Sequence, residues 1–259
     1  MQYESEYGKQ LFECKESLGQ TLGKRLRFIL PSLVFIGAGI LAMLNPDFAG
    51  SEEDLKMLLP LFFGAGALFA LLGLFFVKPL EAAIYESGFV NTRGSKVIEL
   101  DFSSIKGISD STTVIKIYGI IPATKTRVLT LTKKDGNRIE LTKTFVPDFN
   151  QFIDAFSTAF TKHLLKDVET AGIDKANISF GDSLELTGGQ MVYDEKKKGK
   201  TAIPLSRIHS IESDGEGYWL ALKGANQEEL ANVRIDKALN IEALYRIVDM
   251  AQKARKETI

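Results

Sequence analysis

Asp101-Phe102-Ser103-Ser104-Ile105-Lys106-Gly107-Ile108 is echoed far along the same chain by Pro204-Leu205-Ser206-Arg207-Ile208-His209-Ser210-Ile211. The first copy is led in by Lys96-Val97-Ile98-Glu99-Leu100, which alternates apolar and polar residues as a half-buried strand should. The second is led in by Ile203. A repeat of this kind predicts that the polar part of the chain is built twice on one plan.

Working outward from the first copy, Ala83-Ile84-Tyr85 and Gly88-Phe89-Val90 flank a Ser-Gly turn, and Val114 to Tyr118 and Arg127 to Thr132 continue the strand pattern. Asp135-Gly136 is a hairpin signal leading into Arg138-Ile139-Glu140-Leu141. Beyond Pro147 the period changes. Phe149, Phe152, Ile153, Phe156 and Phe160 form a stripe at helical spacing. Around the second copy, Ser183 to Leu186 and Met191 to Tyr193 flank Gly188-Gly189, and Tyr218 to Leu222 and Val233 to Ile235 give further strands. A closing helix carries Ile241, Leu244, Ile247, Val248 and Ala251, while Lys166 to Asn177 is polar and joins the two units. Strands in series with one terminal amphipathic helix, twice over, fit an α+β chain with two small antiparallel barrels or sandwiches, each closed by a C-terminal helix.

That order is the plan of a pleckstrin-homology-like (PH-like) domain. The chain resembles a family of uncharacterised bacterial two-span membrane proteins with tandem PH-like domains. The resemblance is carried by Ile84-Tyr85-Glu86-Ser87-Gly88-Phe89-Val90, by Leu100 to Ile105 and by their echo at Ile203 to Ile208. The second unit departs from it at Thr187-Gly188-Gly189-Gln190. The resemblance implies bacterial origin and fold, and brings no catalytic residue with it.

Two apolar runs, Leu26 to Leu44 and Met57 to Val77, precede the repeats across an acidic segment, Asn45 to Lys56. Each is close to the roughly 20 residues a helix needs to cross a bilayer. Lys9, Lys15, Lys24 and Arg25 lie before the first run, Arg27 at its very mouth, and Lys78, Arg93 and Lys96 after the second. Positive charge at both outer ends places both termini in the cytoplasm. The expectation is a multi-pass protein of the cell (inner) membrane anchored by a helical hairpin. A cleaved signal peptide is the competing reading of the first run, opposed by its full spanning length and the second run behind it. Ala38 with Ala42 and Gly66 with Ala70, widened by Gly37, Gly39, Gly64 and Gly73, read as close packing within the hairpin or as a homodimer face. Pro31 and Pro60 are expected in first helical turns. Apart from Ser32, neither run carries a polar group to line a solute path.

The domain boundaries expected are therefore a cytoplasmic segment 1–25, a transmembrane hairpin 26–78, a first PH-like domain 79–166, a linker 167–177 and a second PH-like domain 178–259. A net charge of −1 gives no argument for nucleic-acid binding. The single cysteine, Cys14, excludes a disulfide framework and reads as an inert thiol or an acylation site beside the membrane. His163, in the last turns of the first closing helix, and His209, on a strand, have no cysteine or acidic grouping at metal-ligand spacing. No Gly-x-Ser-x-Gly occurs. No catalytic residue, metal or cofactor is expected, and the protein reads as non-enzymatic. Two binding readings compete. Paired domains would present a surface to an unknown protein partner, with Ile120 and Ile121 in the apolar run before Pro122 as an interface or, alternatively, a buried strand. The other reading is recognition of anionic lipid headgroups by Lys196, Lys197, Lys198, Lys200 and Arg207, beside the plain alternative of a solvated hairpin tip.

Overall fold

The computed structural model describes residues 2–45, 51–117, 121–144, 146–195, 199–214 and 219–257. The chain is α+β, with helices α1 (Gln2–Tyr7), α2 (Leu18–Leu44), α3 (Glu52–Leu71), α4 (Phe149–Ala171) and α5 (Ile241–Glu257) interleaved with antiparallel strands. It divides into two compact units. One comprises Met1–Cys14, Ala82–Asn91 and Ile98–Ile259, and the other Lys15–Glu81 and Thr92–Val97.

The predicted repeat is present as two β-modules of one plan. Strands β1 (Gln10–Lys15), β2 (Leu80–Tyr85), β3 (Gly88–Arg93) and β4 (Lys96–Asp101) pair in that order, and β5 (Ile105–Ile117), β6 (Ile121–Lys133) and β7 (Arg138–Leu141) form a three-stranded sheet before α4. The second module repeats this arrangement. Its four-stranded sheet is β8 (Asn177–Ser179), β9 (Leu184–Thr187), β10 (Gln190–Glu195) and β11 (Gly199–Pro204). Its three-stranded sheet is β12 (Ser210–Ser213), β13 (Trp219–Lys223) and β14 (Glu229–Arg234), and α5 follows. The echoed sequences are equivalent 3-10 turns, Phe102–Ser104 and Leu205–Arg207. Each tucks one large residue, Phe102 or Leu205, and the following isoleucine, Ile105 or Ile208, into its own core. Gly188 and Gly189, both at positive φ (58° and 72°), make the tight β9–β10 turn that only residues free of a Cβ adopt without strain.

Two boundaries and one burial pattern differ from the sequence reading. The stretch 1–25, expected to lie apart from the first module, supplies α1 and the edge strand β1. Glu86 N–H donates to Lys9 O at 3.1 Å and Glu16 N–H to Leu80 O at 2.9 Å, so β1 runs antiparallel to β2. The two long apolar helices are thus inserted between the first and second strands of that module. The expected linker 167–177 is mostly structured: α4 runs on to Ala171, a 3-10 turn spans Ile173–Lys175, and β8 starts at Asn177. On β4 itself, Lys96 to Asp101, the alternation buries Leu100 alone, leaving Val97 and Ile98 45% and 37% exposed on this edge strand.

Each module has its own core. Phe89, Phe102, Phe152, Phe156 and Phe160 fill the first, with Leu129, Leu131 and Leu141 from the smaller sheet. Leu184, Leu186, Met191, Leu220, Leu222 and Ile247 fill the second. Every member of the phenylalanine stripe expected on α4 is buried.

The smaller unit is the helical hairpin and its base. α2 begins at Leu18, earlier than the apolar run, because Ser17-x-x-Gln20 forms a capping box. Ser17 Oγ accepts from Gln20 N–H at 3.2 Å, and Gln20 Oε1 from Ser17 N–H at 3.0 Å. Pro31 and Pro60 consequently sit inside their helices rather than in first turns, each removing one amide from the ladder. The seam between the helices uses seven-residue spacing: Ser32 and Gly39 on one side, Gly66 and Gly73 on the other, all buried. Ser32 Oγ donates to Gly66 O at 2.7 Å, and Phe35 stacks on Phe69 with ring centroids 5.7 Å apart. At the base, Lys24 Nζ lies 2.6 Å from Glu16 Oε1, whose side chain is 4% exposed, while Glu16 Oε2 accepts from Leu80 N–H at 3.2 Å. The flanks are apolar and open. Only 17% and 11% of the most apolar windows of the two helices are buried.

A Cβ on Gly66 would lie 2.7 Å from Ile36 Cγ1, whereas a Cβ on Gly64 meets nothing within 4 Å. Gly66→Val is therefore expected to lower the unfolding free energy of the full chain in detergent by about 1–3 kcal/mol, the usual overpacking penalty. Gly64→Val should leave it within about 0.5 kcal/mol. Equal melting of the two variants would contradict this seam.

Candidate functional site

Of the basic positions expected to bind, the structure describes Lys200 and Arg207. Lys196, Lys197, Lys198 and Ile120 lie outside the described residues, as does the side chain of Ile121, the first residue of β6. Lys200, on β11, has its Nζ 3.5 Å from Glu185 Oε1, and Arg207 Nη2 is 3.1 Å from Glu228 Oε1. Both cations face carboxylates on neighbouring segments, which lowers the positive potential they offer an anion.

The polar side chain that organises the larger unit was not among those expected. Asn240, directly before α5, is 2% exposed and has φ +56°. Its Oδ1 accepts from Ile108 N–H at 3.0 Å, and its Nδ2 donates to Lys106 O at 3.3 Å and to Ser179 O at 2.9 Å. Its own N–H donates to Ile108 O at 2.9 Å. One residue thus joins β5 of the first module to β8 and α5 of the second, and it closes part of an open sheet edge. Asparagine suits the position, since it tolerates left-handed backbone and offers both a donor and an acceptor. Gly107 allows the approach: a Cβ there would lie 2.9 Å from Asn240 Nδ2. The only signal in the sequence was an Asn immediately before an apolar stripe, which reads as a helix start and not as a clamp.

Beside this clamp, Arg127 on β6 donates to Asp110 of β5 (Nη2–Oδ2 2.5 Å, Nε–Oδ1 3.0 Å) and to Asp154 of α4 (Nη2–Oδ1 3.1 Å). Two elements around the sheet are thereby held by one bidentate guanidinium. A cavity of about 420 Å³ adjoins it, lined by Ser109, Ser157, Thr158 and Glu242 among others. This wall offers hydroxyls and paired charges, a hydrogen-bonding surface suited to recognition. Among the described residues no group of three or more His, Cys, Asp and Glu could hold a metal ion.

The histidines differ in setting from the sequence reading. His163 lies well inside α4 and sets its ring edge-on to Phe102 at 5.6 Å. His209 lies just before β12, not on a strand. It ties down α5, with its O accepting from Gln252 Nε2 at 2.6 Å and its Nε2 3.0 Å from Arg255 Nη1.

Cys14 is buried against the first core, and its thiol is pushed up to about 11. Loss of water around the thiolate is the main cause, with Asp148 adding to it and a backbone hydrogen bond at Ala82 opposing it. A raised thiol pKa means that the folded state keeps its proton where the unfolded chain loses it. The contribution is intact below about pH 9 and is lost as pH rises toward 11, by up to about 2–3 kcal/mol. Maleimide labelling at pH 8 should accordingly be slow in the folded chain and fast in denaturant; equal rates would count against this burial.

The two matched sheet-and-helix modules and the inserted hairpin together span nearly the whole chain, and a family model matches residues 1–257. The chain belongs to DUF6585, a family of unknown function. No curated protein matches the chain. Among solved structures it is similar to a chain from the structure of the Spt16D Pob3N heterodimer, with 15% identity and a TM-score of 0.23. That match covers 61% of this chain and 86% of the other.

Proposed function

We propose that the protein is a non-enzymatic scaffold anchored in the cell (inner) membrane, where two PH-like modules present a binding surface to a protein partner on the cytoplasmic side. The observation that carries this reading is the inserted hairpin. Its helices are 27 and 20 residues long, yet Leu33, Val34, Leu41, Leu61, Leu68 and Phe76 are each more than half exposed. A core helix of a soluble protein buries such residues; a bilayer solvates them.

The basic residues flanking both outer ends and the acidic loop between support a cytoplasmic placement of both termini. The PH-like reading is supported by the repeated order of a four-stranded sheet, a three-stranded sheet and a helix. Binding rather than catalysis is favoured by the use made of the polar side chains: Arg127, Asn240 and His209 are spent on joining elements. Holding the modules at the surface raises their effective concentration for anything located there. Bacterial origin is the accompanying expectation from the family resemblance, and Gly37 and Gly64, which have open space beside them, leave room for a homodimer.

The test is cross-linking of the tagged full chain in native membranes after alkaline carbonate extraction. The expected result is retention in the membrane pellet, tags at both ends cleaved only by protease on the cytoplasmic face, and a reproducible non-self adduct. Release into the supernatant would overturn the anchor, and adducts with self alone would overturn the scaffold reading.

A further inference from the structure

From the chemistry of a second cleft, we infer that the larger unit carries a binding site for a phosphate group between its two modules. The cleft has a volume of about 510 Å³, within the usual range for small-ligand sites. Lys106 on β5, Lys134 in the β6–β7 turn and Lys175 in the turn after α4 line it, together with Ser103, Ser179 and Phe160. The three ammonium groups come from three separate segments, and all three lysines are exposed. Among the described residues none of them is ion-paired.

Charge separates this cleft from every other cavity described. Among the described residues its lining contains no aspartate or glutamate. The cavity at the start of α4 contains Asp148, the one beside Arg127 contains Asp110, Asp154 and Glu242, and the one beside Tyr7 contains Glu86 and Glu169. Lysines gathered without a compensating carboxylate repel one another, and an anion relieves that repulsion. The supporting backbone is held in place. Lys134 N–H donates to Ser104 O at 2.9 Å, Lys175 N–H to Gly172 O at 3.2 Å, and Lys106 O accepts from Asn240 Nδ2 at 3.3 Å. Lysines from three segments suit a group that has several charged oxygens and carries up to two charges, which describes a phosphate ester or pyrophosphate better than a single carboxylate. Ser103 adds a hydroxyl donor, and Phe160 gives an apolar wall for the carrier of the group. Its three lysines are different residues from the basic run at 196–200 of the sequence.

Such a phosphate could belong to a lipid headgroup or to a soluble ester, and one experiment with two arms distinguishes them. The full chain is reconstituted in nanodiscs of zwitterionic lipid and titrated with pyrophosphate and with inositol hexakisphosphate. In the other arm, nanodiscs contain a phosphorylated phosphatidylinositol, and the same soluble probes compete. Each exposed ammonium is worth roughly twofold to fivefold. The combined K106Q/K134Q/K175Q variant is therefore expected to bind roughly eightfold to a hundredfold more weakly with an unchanged melting temperature, and added salt should weaken wild-type binding. K196Q/K197Q/K198Q should bind within twofold of wild type. Competition only in the phosphoinositide discs would assign the group to lipid; equal affinity in both discs would assign it to a soluble ester. Absence of saturable binding in both arms, or affinity unchanged in the cleft variant, would overturn the site. Loss in the loop variant instead would do the same.

Discussion

Phe156→Ala is expected to unfold the first module's core at a temperature roughly 10 °C below that of the wild-type chain. Phe156 is fully buried on α4 and touches four other rings. Phe89 and Phe102 meet it edge-on with centroids at 5.8 and 5.3 Å, Phe152 is tilted against it at 5.7 Å, and Phe160 stacks at 6.4 Å. Truncating a ring in such a site loses its transfer free energy and leaves a cavity that the remaining rings, fixed on two sheets and a helix, can only partly fill. The combined penalty is about 3–5 kcal/mol, or about 3 °C of melting temperature per kcal/mol for a unit of this size. Phe156→Leu keeps most of the volume and should lose no more than about 2 kcal/mol. Thermal unfolding of the full chain in detergent, followed by near-ultraviolet circular dichroism, reads both. A loss below about 1 kcal/mol for Phe156→Ala would mean that the ring cluster is not the core of this module.

The second large effect is expected at Asn240. Alanine there leaves the Ile108 N–H without its side-chain acceptor and removes the donor shared by Lys106 O and Ser179 O, all at a position 2% exposed. An unsatisfied buried donor alone is worth about 1–3 kcal/mol, and alanine tolerates φ +56° less well than asparagine. A total loss of about 2–4 kcal/mol follows. Its signature differs from that of Phe156→Ala, because both cores stay filled and the joint between modules weakens. Limited proteolysis should therefore cut the chain around 172–176 in Asn240→Ala well before either core melts. A variant with wild-type resistance at that segment would show that Asn240 does not join the modules. Asn240→Asp keeps the acceptor for Ile108 but turns the donor toward Lys106 O and Ser179 O into an acceptor, and should fall at least as far.

How much of this was legible in advance follows from the range of the interactions involved. The phenylalanine stripe of α4 was readable because a helix places residues three and four apart on one face, so the core side of Phe149 to Phe160 is encoded locally. The Gly188-Gly189 turn, the repeated strand order and the two apolar helices were readable for the same reason. Strand β1 was not, because Gln10–Lys15 is identified as an edge only by its pairing with Leu80–Tyr85 across the whole hairpin. Lys200 and Arg207 looked like free cations until Glu185 and Glu228 were brought beside them. The lysines at 106, 134 and 175 lie in three unrelated segments, and Asn240 differs in sequence from no other helix-capping asparagine.

By itself, then, the sequence determined the α+β class, the duplicated module, the apolar hairpin and the core face of each closing helix, since each depends on periodicity within one segment. Only the tertiary structure decided that the hairpin interrupts the first module, that Asn240 joins the two modules, and that a cleft between them gathers three lysines with no carboxylate among its described lining residues. Those three depend on which distant backbone groups and charges meet, and neither spacing nor composition specifies that.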